Sequence, residues 1–197
     1  MSCYNKRADP ESVANEVAII RAVEERAPGI ALPYCRDSIF VPSKIAILEY
    51  PLNLTRALQS GCIDPCGSII VKVVKRIKEM CDELYAIGVT HYDLHTSNIA
   101  ILPLGTDSMC MPDIRFIDWA LSCDYVSKKR PPHVRIMEVP DLLYDWYFFC
   151  FSFIHLFKVL SVEPPVIISS IVTNVLEYSD QKEVAGHEWA RVKNLMN

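Results

Sequence analysis

The hydrophobic pattern first predicts an amphipathic helix near the amino terminus. Asp9, Pro10 and Glu11 form a typical helix start, with a capping side chain, a proline at the first helical position and an acid in the first turn. Apolar residues then recur at helical spacing, at Val13, Val17, Ile20, Val23 and Ala27. Glu16 lies within this stripe, where a carboxylate is costly unless a cation or a donor meets it. Alternatively, Glu16 lies at the edge of the stripe and reaches solvent.

Further along the chain, the pattern predicts two strands and two more helices. Residues 38–41 and 44–50 have the apolar character of strands and are expected to pair with each other. A helix is predicted over residues 68–87 and is ended by Gly88. Its apolar face consists of Ile70, Val73, Val74, Ile77, Met80, Cys81, Leu84 and Ile87. Residues 146–157 form the most apolar stretch, which is shorter than the ~20 residues that span a bilayer and is therefore predicted to be a buried helix.

A short loop within residues 89–98, here called the polar loop, contains the candidate chemistry. The loop precedes the apolar run 99–102, and a second apolar run, 114–117, ends at Asp118. If the two runs pair as an antiparallel hairpin, Asn98 and Asp118 lie at the same end of it. Together with Asp93 they offer the oxygen ligands that bind Mg²⁺ against phosphate oxygens, and Asp93 could then act as a base. Alternatively, this is an ordinary polar loop in which these side chains cap turns.

Composition and charge narrow the class of protein. The chain has 197 residues, of which 51% are hydrophobic and 22% charged, which indicates one globular domain rather than a disordered chain. A formal net charge of -4 argues against a sequence-independent nucleic-acid binder. The eight cysteines follow no secretory signal, so we expect reduced thiols inside a cell, in the cytoplasm or nucleus, or in a host cell if the chain is viral. Cys62 and Cys66 are expected to be core thiols rather than zinc ligands.

The polar loop resembles the catalytic loop of the protein kinase-like superfamily. His91, Tyr92 and Asp93 stand where that family has His-Arg-Asp, and Asn98 follows at the spacing of its metal-binding asparagine. The run Asp118-Trp119-Ala120 resembles Asp-Phe-Gly. The long helix before the loop and the hairpin after it are the context in which this motif occurs.

This resemblance implies a fold and two cofactors. The fold is α+β, a single kinase-like domain over residues 1–197, with a truncated N-lobe in residues 1–50 and a mainly helical C-lobe in residues 51–197. The cofactors are ATP and Mg²⁺. The family's roles then make Asp93 the catalytic aspartate and make Asn98 and Asp118 the metal ligands.

The resemblance also implies roles for residues outside the loop. Glu16 falls where the family keeps a helix glutamate that pairs with a strand lysine. Leu48, Glu49 and Tyr50 resemble the gatekeeper and hinge that receive adenine. His95 stands where protein kinases commonly have lysine, and it could either assist the phosphoryl group when protonated or orient Asp93 by a hydrogen bond, which we favour.

Three further positions bear on regulation and on the completeness of the domain. Asp145 resembles the aspartate that holds the catalytic loop in that family. None of the six glycines precedes the first helix, so the glycine-rich phosphate loop is missing, and Lys6 is the one candidate for the lysine that positions the phosphates. Tyr92 replaces the arginine that pairs with a phosphorylated segment, which argues against that kind of control.

Two functions follow from the resemblance. The first is an ATP-dependent phosphotransferase, a divergent serine/threonine protein kinase that transfers the γ-phosphoryl group to a hydroxyl. The alternative is an inactive kinase mimic that binds and regulates a true kinase or its substrate. Expected partners are a protein substrate or a partner kinase, with no nucleic acid and no membrane span. Apolar residues left uncovered in 13–23 and 45–48 would favour a second chain, identical or different, that covers the shortened N-lobe.

Overall fold

Helices alternate with small antiparallel sheets along the chain, which is the α+β class predicted from the sequence. The computed structural model describes residues 3–7, 9–33, 44–48, 50, 52–102, 111–129, 144–166 and 168–170. The strands are β1 (Cys3–Arg7), β2 (Lys44–Leu48), β3 (Leu52–Asn53), β4 (Val89–Thr90), β5 (Ile99–Leu102), β6 (Asp113–Phe116) and β7 (Cys123–Asp124). The helices are α1 (Pro10–Arg26), α2 (Leu54–Gln59), α3 (Ser68–Ala86) and α4 (Tyr144–Leu160), with a single 3₁₀ turn at Thr96–Asn98. The strands pair as β1–β2, β3–β5–β6 and β4–β7.

Helix α1 begins where its sequence predicts, and its apolar face is covered. The Asp9 side chain caps the helix by accepting hydrogen bonds from the backbone N–H groups of Glu11 (3.1 Å) and Ser12 (2.9 Å). The buried stripe consists of Val13, Val17, Ile20, Val23 and Ala27. α1 lies against β2 and β7, so the apolar stripe within residues 13–23 is not left uncovered and does not favour a second chain. The side chains of residues 45–48 lie outside the described part of the chain, so a second chain over the N-lobe stays a prediction.

The first sheet pairs β2 with a strand that the hydrophobic pattern does not reveal. β2 lies antiparallel to β1, with Lys6 opposite Ile45. The sequence of β1 is Cys-Tyr-Asn-Lys-Arg, which lacks the apolar run of a typical half-buried strand. The strand predicted over residues 38–41 lies outside the described residues, so its pairing with β2 stays a prediction.

The predicted hairpin is confirmed. β5 and β6 pair antiparallel, with Ile99 opposite Phe116 and Leu102 opposite Asp113. Pairing therefore starts directly after Asn98, and the chain that leaves β6 emerges beside it. This register puts the end of the polar loop next to the segment that begins with Asp118.

A short strand and a short helix extend this sheet. β3 pairs with the other edge of β5, and Asn53 at its end caps α2 by accepting the N–H of Arg56 at 2.9 Å. Together these elements span only residues 52–59. That is too short for a hydrophobic period to appear, which explains why the sequence pattern did not predict them.

Two long helices supply much of the core. α3 buries the predicted apolar face except for Ile87, which follows the helix and is partly buried. α4 extends beyond the predicted span 146–157 at both ends. Within α4 the rings of Trp146, Phe149, Phe153 and Phe157 lie in succession, with centroids 5.5, 5.3 and 4.8 Å apart. Among the residues that the structure describes, no helix is both long and apolar enough to cross a membrane.

The cysteines differ in exposure, and one expectation about them is wrong. Cys62 and Cys66 are exposed rather than in the core. They lie in the connection between α2 and α3, where the Asp64 carboxylate accepts the N–H of Cys66 at 2.9 Å and stabilises a local turn at the surface. Cys81 and Cys150 are buried, and burial raises the pKa of both thiols.

Replacing Ile20 with alanine tests whether helix α1 packs inside a single chain. Because the Ile20 side chain is buried, Ile20→Ala should lower the free energy of unfolding by about 2–5 kcal/mol through lost contacts and a residual cavity. Urea denaturation followed by circular dichroism measures this change. Glu25→Ala, on the exposed face of the same helix, is the control and should stay within about 0.5 kcal/mol of wild type. A small loss with a midpoint that rises with protein concentration would indicate an interface between chains instead.

Candidate active site

One carboxylate holds the start of the polar loop. Asp145 in the first turn of α4 is 6% exposed and accepts the backbone N–H groups of His91 (2.7 Å) and Tyr92 (2.9 Å). Tyr92 has a φ of +64°, a left-handed conformation that costs a non-glycine residue about 1–2 kcal/mol. The two hydrogen bonds stabilise this backbone, so Asp145 does hold the loop, as the resemblance implies.

His91 joins the loop to the segment that follows β6. Its Nε2 lies 3.0 Å from the carbonyl oxygen of Ile117, and its own carbonyl accepts the hydroxyl of Ser122 at 3.0 Å. The buried imidazole packs against the indole of Trp119, with centroids 4.6 Å apart. The residues on both sides of Asp118 are thus in contact with His91.

Asn98 orients Asp93. The Asn98 amide nitrogen donates to the Asp93 carbonyl at 2.9 Å and to the Asp93 carboxylate at 3.2 Å. An amide that uses its nitrogen in this way directs its oxygen elsewhere, and that oxygen can serve as a metal ligand. Asp93 itself is accessible, with 31% of its side chain exposed.

His95 lies beside Asp93 but does not orient it by a hydrogen bond. Its Nδ1 accepts the N–H of Ser97 at 3.2 Å, so the neutral ring has its proton on Nε2. Nε2 lies 3.8 Å from the Asp93 carboxylate, which is too long for a hydrogen bond. The expectation that His95 orients Asp93 is therefore wrong, and Asn98 performs that role.

Asp118 lies at the same end of the hairpin as Asn98, as predicted. The N–H of Ile117 donates to the carbonyl oxygen of Asn98 at 3.0 Å, so Asp118 follows directly after this contact. The φ of Asp118 is +65°, a conformation that aspartate and asparagine adopt more readily than most residues. The next residue, Trp119, is fully buried, and its indole N–H donates to the Phe116 carbonyl at 3.1 Å.

Glu16 is buried and contacts this segment, which removes the alternative that it reaches solvent. Its side chain is 1% exposed, and its Oε1 accepts the backbone N–H of Trp119 at 3.2 Å. One donor to this buried acid is therefore a backbone group next to Asp118. Lys6, the one candidate for the lysine that pairs with this glutamate in the family, lies in β1, but its side chain is outside the described part of the chain, so this pairing is not tested.

The predicted hinge is described only in part. Leu48 is the last residue of β2, Glu49 lies outside the described residues, and Tyr50 is half-buried. A small apolar cluster, separate from the main core, contains Leu32, Ala100, Ile117, Tyr50 and Leu102. Because Ile117 directly precedes Asp118, this Ile117 cluster lies beside the oxygen-bearing side chains.

Hydroxyl groups that the sequence analysis missed hold the 3₁₀ turn. Thr55 of α2 donates to the Thr96 hydroxyl at 2.8 Å and lies 3.0 Å from the Ser97 hydroxyl. The N–H of Thr96 donates to the Ser152 hydroxyl of α4 at 3.1 Å. No motif marks these residues, because each contact joins elements that are distant in the sequence.

Asp93, Asn98 and Asp118 thus lie together at one end of the β5–β6 hairpin. In the part of the chain that the structure describes, no group of three or more His, Cys, Asp and Glu side chains is arranged to hold a metal ion. Neither a scan against protein-family models nor a search of curated proteins finds a match for this chain. The geometry of these residues is therefore the basis for assigning a function.

Two substitutions distinguish the role of Asp145, which holds the polar loop, from that of Asp118, the candidate metal ligand. Asp145→Ala leaves two buried N–H groups without their acceptor and should lower the free energy of unfolding by about 1–3 kcal/mol. Asp118→Asn should change stability little, because asparagine tolerates a positive φ as well as aspartate does. Urea denaturation of the two variants measures the difference. Equal losses of stability would contradict this division of roles.

Proposed function

We propose that this protein is a divergent member of the protein kinase-like superfamily that transfers the γ-phosphoryl group of ATP to a serine or threonine hydroxyl of a protein. One observation carries the proposal: Asn98 donates to Asp93 through its amide and accepts from Ile117 through its carbonyl. It thereby links the Asp93 carboxylate to the backbone that directly precedes Asp118. In this proposal residues 1–50 form a shortened N-lobe and residues 51–197 form the C-lobe.

The chemistry of Asn98 and Asp118 fits Mg²⁺. Magnesium prefers oxygen ligands, is usually bound by one or two protein side chains, and completes its shell with phosphate oxygens and water. The Asn98 amide oxygen and the Asp118 carboxylate supply two such oxygens, so metal binding should depend on ATP. Bound Mg²⁺ neutralises negative charge on the phosphates.

Asp93 is suited to act on the acceptor hydroxyl. Its carboxylate is partly exposed and is oriented by the Asn98 amide, so it can accept a hydrogen bond from an incoming hydroxyl and then take its proton. The imidazole of His95, 34% exposed on the same loop, can contact the acceptor or a phosphate. In this proposal Asp93 is the catalytic base and His95 contacts the reacting groups.

Apolar groups near the metal ligands support a nucleotide rather than an isolated phosphate. The Ile117 cluster lies beside Asp118 and includes Tyr50, the last residue of the proposed hinge. Tyr50 and Leu102 are only partly buried and leave apolar surface beside the proposed phosphate-binding groups, which is the combination that an adenine ring and its phosphates require. Leu48 and Glu49 complete the hinge in this proposal.

A second candidate function is binding of a partner kinase or its substrate without phosphoryl transfer. It is favoured by the position of the six glycines, none of which precedes α1. A glycine-rich loop covers the phosphates and excludes water in protein kinases, and the sequence before α1 offers no such loop. Such a protein would keep the shape of the site and lack the transfer step.

A thermal-shift titration with ATP, with and without Mg²⁺, tests the proposal without knowledge of the acceptor. At an ATP concentration ten times the Kd, binding raises the free energy of unfolding by about 1.4 kcal/mol. For a domain of this size that should raise the Tm by about 3–6 °C. We expect this rise only with Mg²⁺, and we expect Asp118→Asn to abolish it. Asp113→Asn, at the other end of β6, is the matched control and should keep it.

Asp93→Asn then separates the two candidate functions. In a phosphotransferase this variant keeps the Mg²⁺-dependent shift but loses transfer of labelled phosphate to a test protein. A shift without transfer in the wild-type protein would favour the partner-binding function. No Mg²⁺-dependent shift at millimolar ATP, or an equal shift in Asp118→Asn, would overturn the phosphotransferase proposal.

A further inference from the structure

Arg26, the last residue of α1, connects three parts of the chain. Its Nη1 donates to the carbonyl oxygen of Ile87 at 2.7 Å, just before β4, and its Nη2 forms an ion pair with Asp124 of β7. Its Nε donates to the carbonyl oxygen of Ala22 at 3.2 Å, which fixes the side chain against its own helix. The guanidinium is thus hydrogen-bonded through all three nitrogen atoms.

Asp124 is a buried carboxylate with several donors around it. It is 1% exposed, and its Oδ1 accepts the N–H groups of Val126 (3.0 Å) and Ser127 (3.2 Å). Burial by itself raises the pKa of Asp124, but the hydrogen bonds from Ser127 and Arg26 outweigh burial and hold its pKa below the usual range. Asp124 is therefore charged at neutral pH, and Arg26 is the cation that compensates it.

The residues between the candidate site and Asp124 contact helix α1 at three positions. Near the site, Glu16 accepts the N–H of Trp119. In the middle, the Asn15 amide donates to the carbonyl oxygen of Ser122 at 3.3 Å. The third position is the ion pair of Arg26 with Asp124. Helix α1 and residues 119–124 are therefore joined along their length.

A hydroxyl contact joins the same segment to the polar loop. The Tyr92 hydroxyl contacts the Tyr125 hydroxyl, and the backbone of Asp124 and Lys129 exchanges two hydrogen bonds (2.9 and 3.0 Å) that close the turn. Each of these contacts uses unmodified side chains or backbone groups. Residues 119–129 are therefore held by backbone, hydroxyl and charged groups already present in the chain.

We propose that Arg26 is a positioning residue that, through its ion pair with Asp124, holds residues 119–129 against helix α1 and keeps the backbone beside Asp118 in place without a phosphorylated residue. The effect of this ion pair on nucleotide binding rests on the proposed function. Its effect on the backbone of residues 119–129 does not, so the positioning role of Arg26 and the phosphotransferase function can fail separately.

Matched variants isolate this ion pair. Arg26→Gln removes the positive charge, and Asp124→Asn removes the negative charge but keeps an oxygen that can accept from Val126 and Ser127. Arg26→Lys keeps the charge and loses the planar group that spans Ile87 and Asp124. Arg76→Gln is the control, because Arg76 also pairs with carboxylates and has a similar exposure (34% against 25% for Arg26) but lies on α3.

Hydrogen exchange measured by mass spectrometry on the full chain tests the effect on the backbone. Peptides that cover residues 119–129 should exchange about tenfold faster in Arg26→Gln and in Asp124→Asn, with an intermediate change in Arg26→Lys. The double variant should exchange no faster than either single one, because both remove the same interaction. Peptides from the β5–β6 hairpin should be unaffected in all of them. If residues 119–129 exchange alike in wild type, Arg26→Gln and Asp124→Asn, the proposal is overturned.

Titration of the same variants with Mg²⁺ and ATP tests the effect on the site. Arg26→Gln should weaken binding several-fold relative to Arg76→Gln, and Arg26→Lys should recover part of the loss. Unchanged affinity in Arg26→Gln despite faster exchange would overturn the link to the site. If the wild-type protein binds no ATP, the phosphotransferase proposal fails, and the exchange result alone decides the positioning role of Arg26.

Discussion

The acceptance of two backbone N–H groups by the Asp145 carboxylate is the interaction on which the candidate site depends. A buried charge is costly unless donors surround it, and a tyrosine with a positive φ is costly unless other contacts stabilise it. The two hydrogen bonds from His91 and Tyr92 to Asp145 offset both costs where the loop meets the start of α4. The partial positive charge at a helix amino terminus favours the carboxylate further. Because His91 and Tyr92 are held there, the loop reaches Asp93 and Asn98 in a defined conformation.

Buried carboxylates stabilised by hydrogen-bond donors also occur on the other side of the site. Glu16 and Asp124 are buried acids that each accept a hydrogen bond from a distant part of the chain, from the Trp119 backbone and the Arg26 side chain respectively. Removing one partner from such a pair leaves a buried group unsatisfied, which costs more than the pair contributes when intact. Helix α1 is therefore joined to the segment around Asp118 by polar contacts as well as by its apolar stripe, and the candidate site is one connected network.

The sequence predicts the local parts of this arrangement better than the distant ones. The Asp9 cap, the α3 face and the β5–β6 hairpin follow from spacing and turn residues within a short stretch, and the structure agrees. The sequence does not predict strand β1, because its partner is far along the chain and its own residues are mostly polar. The sequence indicates that Glu16 needs a partner but not which one, because a backbone N–H has no sequence signal. The Arg26 and Asp124 pair is likewise visible only in three dimensions.

In the proposed function, Asn98 and Asp118 share one metal ion with ATP, and paramagnetic NMR locates such an ion. Mn²⁺ replaces Mg²⁺ in oxygen-ligand sites and broadens the signals of nuclei nearby. With ATP and Mn²⁺ added to isotope-labelled protein, we expect the strongest broadening at Asp93, Asn98 and Asp118, reversed by excess Mg²⁺. Broadening centred elsewhere, or broadening that occurs equally without ATP, would contradict it.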